Sequence, residues 1–305
     1  YTILIPEKVN GMVNSMLAHY KAYGYLPIWT LWGKENHCMI GNHAIPVIVD
    51  AYLKGFDGFD KREAYRAIKE SSTVSHRNSD WEVYDKYGYY PFDLVTAESV
   101  SKTLESAYDD YCVARMAEKL DAKGDYEYFI RRSEYYKNLF DPVTRFMRGK
   151  DSGGNWRTPF NPMRLFHAGE VGGDFTEGNS WQYTWHVQQD VEGLIALMGG
   201  KDVFVNKLDS LFMTEPEPDK MGKVLDVTGL IGQYAHGNEP SHHVIYLYNY
   251  VNCPWRTQEL IREVFERFYQ ARPDGLCGND DCGQMSAWYV FSAMGFYPVN
   301  PVSGE

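Results

Sequence analysis

The sequence predicts an all-α fold, on three observations. Apolar residues recur at helical spacing along most of the 305 residues, convincing period-two alternation is absent, and glycine or proline closes most of the periodic runs. Residues 9–23 place Met12, Met16, Leu17 and Tyr20 on one stripe, and residues 38–54 stay apolar until Gly55. The longest run, 98–120, aligns Val100, Leu104, Ala107, Tyr111, Ala114 and Leu120. Past Gly124 a helix is expected over 125–139, stopped by Asp141-Pro142. A helix over 180–198 ends at Gly199-Gly200, and a short one over 203–212 precedes a loop marked by Pro216 and Pro218. Residues 241–251 and 256–269 read as a pair bent at Cys253-Pro254, and 283–294 closes at Gly295 and Pro298. About ten helices result, with strand character only at 81–84 and 146–148. Paired helices joined by alternately short and long loops suggest stacked helical hairpins, and no linker divides residues 1–305, which are read as one domain.

Composition narrows the function. With 44% hydrophobic and 15% aromatic residues the chain has enough apolar surface to offset its ordering entropy, which excludes disorder. A formal charge of −11 repels phosphate backbones and argues against a nucleic-acid partner. The greasiest windows, 45–53 and 244–251, are interrupted by Asp50 and Asn249 and fall short of the ~18 apolar residues of a membrane span. Tyr1 leads directly into polar sequence, so a signal peptide is not visible. Of Cys38, Cys112, Cys253, Cys277 and Cys282, only the last two are close, in a C-x4-C spacing that fits no common zinc pattern. The 24 Tyr and 8 Trp offer flat faces with polar edges, suited to core packing and to sugar rings alike.

A loop over 149–179 with seven glycines is long enough to suggest a functional role. It runs into the first of three polar segments that each lead toward an apolar helix: Phe175-Thr-Glu-Gly-Asn-Ser-Trp-Gln-Tyr183, His236-Gly-Asn-Glu-Pro-Ser-His-His243 and Gly278-Asn-Asp-Asp-Cys-Gly-Gln284. Glu177, between Phe175 and Trp181, is either a carboxylate stabilised by the helix dipole or a general acid whose pKa apolar neighbours raise. In the second segment a zinc site of His236, Glu239 and His242 or His243 is an alternative, but Pro240 prevents a single helix face from carrying them. Asn238 and Glu239 better suit a hydroxylated ligand or a hard cation. The adjacent Asp280 and Asp281 should diverge, one facing a site while the other supports the turn. An acid on one loop and a base on another suit glycoside hydrolysis.

At these segments the chain resembles glycoside hydrolase family 92, the calcium-dependent exo-acting α-mannosidases. The resemblance is carried by 176–183, 236–243, 278–289 and Gly-Phe-Tyr-Pro-Val-Asn-Pro (295–301), with Leu26-Pro-Ile-Trp29 and Cys38-Met-Ile-Gly-Asn-His43 near the start. It implies an (α/α)6 toroid, here incomplete at its N-terminus, and a β-sandwich domain absent from this sequence that would pack against it. It also implies that the chain continues into β structure after Ser303-Gly304-Glu305. By motif, Glu177 is implied as the general acid and Asp281 as the base, with Asp280 a candidate to share that work. Calcium is implied as cofactor, with Gln182, Asn238 and Glu239 as candidate ligands. Trp181, His236, Asn238, Glu239, His242 and His243 are candidate sugar contacts. The expected activity is inverting removal of terminal α-1,2-linked mannose from glycans such as N-glycans, in the periplasm, in secretions or at the cell surface. The alternatives are a carbohydrate-binding fragment without turnover, another (α/α)6 glycosidase, or a polysaccharide lyase.

Overall fold

The computed structural model describes residues 1–217, 224 and 226–303. Pro218, Gly304 and Glu305, on which two of the sequence expectations fall, lie outside them. The described residues are helix-rich, and their only sheets are two-stranded hairpins, which gives the expected all-α class. The chain packs as two compact units.

The first unit comprises residues 1–139, 150–155 and 300–303. Its helices are α1 (Pro6–Tyr23), α2 (Ala44–Leu53), α3 (Lys61–Ser71), α4 (Trp81–Tyr87), α5 (Ser99–Lys119) and α6 (Lys123–Arg132), with a hairpin of β1 (Thr30–Leu31) and β2 (Lys34–Glu35). The α5 stripe read from sequence is buried at Val100, Leu104, Ala107 and Ala114, and the helix packs against α2, α3 and α6. The same helix buries Asp110, whose carboxylate pairs with the Arg132 Nε at 2.9 Å. The Arg132 guanidinium also stacks over Trp81 and Tyr84, 4.9 Å from each ring centre.

Several local expectations change in this unit. Residues 38–43 stay outside α2, because Gly41 adopts φ +68° and packs where a Cβ would meet the Glu105 carboxylate at 2.5 Å. The strand expected at 81–84 is instead the start of α4, capped by the Asp80 side chain on the Val83 N–H and closed by left-handed Gly88. α3 escaped the sequence reading because charge dilutes its short stripe of Ala64, Ala67 and Ile68, although Asp60 caps it. The 125–139 run divides into α6 and a 3-10 turn, Tyr135–Leu139.

The second unit comprises 140–149 and 156–299. It holds the hairpins β3 (Phe140–Asp141) with β4 (Phe146–Met147) and β5 (Leu230–Ile231) with β6 (Tyr234–Ala235). Its helices are α7 (Ser180–Tyr183), α8 (Val191–Met198), α9 (Lys201–Met213), α10 (Pro254–Phe268) and α11 (Gln284–Met294). The strand expected at 146–148 is present as β4. The helix expected over 180–198 is broken into α7 and α8, since Asp190 caps a new start by accepting from the Gly193 N–H at 2.9 Å. Residues 241–251 wind as 3-10 turns, Glu239–Ser241 and Val244–Val251.

Candidate active site

All three polar segments belong to the second unit. Glu177 stands on the last turn before α7, just ahead of two anchors. Phe166 and Gly178 form an antiparallel bridge, with the Phe166 N–H donating to the Gly178 carbonyl at 3.0 Å. After it, Asn179 and Gln182 make a reciprocal capping box: Asn179 Oδ1 accepts from the Gln182 N–H at 3.2 Å, and Gln182 Oε1 from the Asn179 N–H at 2.9 Å. Both side chains also reach Gln233 in the β5–β6 turn, Asn179 Nδ2 to Oε1 at 3.1 Å and Gln182 Nε2 to the carbonyl at 3.0 Å. Immediately before these anchors Glu177 takes φ +46°, a conformation uncommon outside glycine.

The second segment touches both of the others. Asn238 Nδ2 donates to the Glu177 carbonyl at 3.0 Å, and Asn238 Oδ1 accepts from the Glu239 N–H at 3.1 Å. Glu239 keeps an exposed edge, yet its carboxyl packs closely enough that desolvation is the first cause of a pKa raised to about 7. The charge of Asp281, which shares a hydrogen bond with it, and that of Asp226 add to the rise. Glu177, Gln182, Tyr183, Ala235, Asn238, Pro240 and Ser241 line a depression beside this junction.

In the third segment the two aspartates diverge as their adjacency requires. Asp280 Oδ1 accepts from the backbone N–H and the hydroxyl of Ser286, both at 2.9 Å, and so caps α11. Asp281 is left facing Glu239, on backbone at φ +45° that continues left-handed through Cys282 and Gly283. Asp280 thus takes the turn-supporting place that adjacency leaves to one member of the pair.

Close packing on glycine brings the segments together. The Gly237 N–H donates to the Thr228 carbonyl at 3.0 Å, extending the β5–β6 hairpin toward the second segment. A Cβ on Gly278 would lie 2.9 Å from Thr228 Oγ1 and 3.1 Å from the Gly237 Cα, and one on Gly237 would collide with the same hydroxyl. Only glycine at both positions lets 236–239 and 278–281 close around Thr228. Beside it, Asn279 Nδ2 lies 3.4 Å from Asp226 Oδ1. Asp226, Thr228 and Gln233 escaped the sequence reading; the glycines at 237 and 278 were the available signal.

The imidazoles lie behind this junction. His236 is fully buried between the Tyr234 and Tyr269 hydroxyls at 2.8 and 2.9 Å, and desolvation with its neighbour His242 lowers its pKa to about 2. His242 meets the His236 carbonyl at 2.9 Å and the Gln284 amide at 3.2 Å; His243 meets the Trp185 carbonyl at 2.7 Å. Burial holds both near pKa 4, so they are neutral at neutral pH. Trp181 is buried too, edge-on to Phe146 at 4.7 Å with the Lys207 ammonium 4.3 Å from its centre. Among the described residues no group of three or more His, Cys, Asp or Glu is placed to hold a metal ion.

Comparison with known proteins fits this arrangement. The chain is similar to the solved structure of a family GH92 alpha-mannosidase from Bacteroides thetaiotaomicron in complex with mannoimidazole, at 51% identity and TM-score 0.91, covering 97% of this chain and 39% of that one. It is similar to a family GH92 inverting mannosidase from the same organism at 40% identity and TM-score 0.85, covering 99% and 42%. An uncharacterized secreted glycosidase of Arthroderma benhamiae is 29% identical over 319 residues, 94% of this chain and 39% of that protein. The chain thus spans about two fifths of the length of these relatives. The sequence model described as the glycosyl hydrolase family 92 catalytic domain matches residues 1–305, and the chain therefore belongs to glycosyl hydrolase family 92.

Proposed function

We propose that this chain is the catalytic part of an exo-acting α-mannosidase that removes terminal α-1,2-linked mannose from glycans, N-glycans among them, with inversion at the anomeric carbon. The observation that carries the reading is the meeting of the Glu177 and Asp281 loops on one dipeptide, Asn238-Glu239. The similar solved structures support it, one named an alpha-mannosidase with mannoimidazole bound and one an inverting mannosidase. Glu177 protonates the leaving oxygen, and Asp281 takes a proton from the water that attacks the opposite face of the sugar. Inversion requires those carboxyls about 6.5–9.5 Å apart, leaving room for that water. Asn238 and Glu239 bind the sugar hydroxyls, with the buried histidines holding their backbone.

Calcium fits the donor chemistry of the same junction. Gln182 Oε1 and Asn238 Oδ1 each accept one backbone N–H and keep a second lone pair, and the Glu239 carboxyl is crowded by the negative charge of Asp281 and Asp226. Gln182, Asn238 and Glu239 would hold the ion, and bound calcium would supply an electrophilic clamp for vicinal sugar hydroxyls. We propose further that residues 1–305 act as one catalytic domain of (α/α)6 type, alongside a β-sandwich domain of the same polypeptide. The name of the secreted relative supports a location in the periplasm, in secretions or at the cell surface.

The test uses the full-length enzyme with Glu177→Gln and Asp281→Asn made separately. Each is expected to lower kcat by about 10²–10⁴ with the fold retained, and NMR of the wild-type reaction should show β-mannose as the first product. Near wild-type hydrolysis in both variants would remove these residues from the mechanism. A chelator should abolish turnover, and restoration by calcium identifies the ion.

A further inference from the structure

We infer that Asp226 is a positioning residue for the hydrolysis, holding the loop of Asp281 against Glu239 through Asn279. The inference rests on the reading of Asp281 as the base. Asp226 begins a segment locked by its own backbone: the Thr228 N–H donates to the Asp226 carbonyl at 3.1 Å, and the Thr228 and Gly229 carbonyls accept from Gly237 and His236 at 3.0 Å each. That segment presents the Thr228 hydroxyl to Gly237 and Gly278 together, so it touches both loops whose carboxyls must meet. From the same segment the Asp226 carboxylate receives the Asn279 amide at 3.4 Å, two residues before Asp281.

The charges explain the pairing. Asp281 and Glu239 already crowd one another, and the negative charge of Asp226 reaches Glu239 as well. A neutral donor at 279 lets Asp226 hold the loop by a charge-assisted hydrogen bond. An aspartate at 279 would face Asp226 with like charge and push the loop away. Because Asp281 stands on left-handed backbone, its direction depends on the two anchors just before it: Asn279 on Asp226 and Asp280 on α11. A base displaced by a fraction of an ångström loses its alignment with the water, so the effect falls on kcat rather than KM.

A partner swap in the full-length enzyme tests this. Asp226→Asn is expected to lower kcat about tenfold with KM within about twofold, and Asn279→Asp to lower it further. The double variant Asp226→Asn/Asn279→Asp restores an amide–carboxylate pair across the same gap and should recover kcat to within about threefold of wild type. The Asp226→Asn loss should be equal on an activated aryl α-mannoside and on an α-mannobiose, since a base-side defect does not depend on the leaving group, whereas the Glu177→Gln loss should shrink on the aryl substrate. Far-UV circular dichroism establishes that each variant is folded. Wild-type kcat in Asp226→Asn, or a double variant no better than Asn279→Asp, overturns the inference while an inactive Asp281→Asn keeps the base. An active Asp281→Asn overturns the base reading itself.

Discussion

The first unit saturates its backbone in long helices and the second does not, and the candidate site belongs to the second. In the first, the 21-residue α5 buries aliphatic side chains along a regular stripe and seats two charge clusters, Asp110 with Arg132 and Glu105 with Asp109 around His43. In the second, the interior is rich in Trp185, Tyr234, His236, Tyr248 and Trp288, and many of its connections are irregular. A helix satisfies its own N–H and C=O groups, so its side chains are free to be apolar. An irregular segment needs side chains to satisfy its backbone, and Asn179, Gln182, Asn238 and Asp280 do this beside Glu177 and Asp281. The contrast teaches that polar side chains brought in to stabilise loops are also what gives a reactive carboxylate its orientation.

Breaking the buried Asp110–Arg132 pair of the first unit should give the largest effect on stability. Arg132→Met leaves Asp110 buried without its cation and should cost about 3–5 kcal/mol in denaturant unfolding, whereas the double variant Asp110→Leu/Arg132→Met should recover most of that loss. Adding a methyl group to the second unit's glycine contact comes next. Gly237→Ala drives a Cβ into the Thr228 hydroxyl and should cost about 1–3 kcal/mol, with hydrolysis reduced even where thermal melting shows the variant folded. Removing a loop anchor is milder. Asn179→Ala forfeits the cap of α7 and should cost about 1 kcal/mol, with a kcat loss because Glu177 is attached to that cap.

The smallest effect concerns a titratable group in the first unit. Desolvation alone would depress His43, but Asp109 at 3.2 Å and Glu105 at 3.1 Å outweigh it and hold its pKa well above 6.5. A pKa raised on folding contributes stability that is complete below the unfolded value and lost as pH rises through the folded one. The melting-temperature gap between wild type and His43→Gln should therefore be widest below pH 6.5 and close in alkaline solution. A gap that widens with pH would refute the assignment of charge to this cluster.

Much of the fold was legible where periodicity was long. The stripes of α1, α5, α10 and α11 gave those helices within a few residues, because one buried face repeated over several turns leaves a pattern that local chemistry cannot imitate. Where polar caps or left-handed residues interrupt an apolar run, as at Asp190 and Gly41, the pattern continued across a real boundary and the expected helices were too long. In the site, the residue types of the three segments were legible but their orientations were not. Asp280 and Asp281 are chemically identical, and only the contact of one with Ser286 and the other with Glu239 separates them.

The sequence by itself determined the helical class and the three loop chemistries, because both follow from the order of side chains within a few turns of chain. Tertiary structure decided that the histidines are buried and neutral, that Asp281 rather than Asp280 meets Glu239, and that Asp226 stands beside them. The physical reason is that these choices depend on glycine close-packing around Thr228, a contact among segments far apart in sequence that no local propensity encodes.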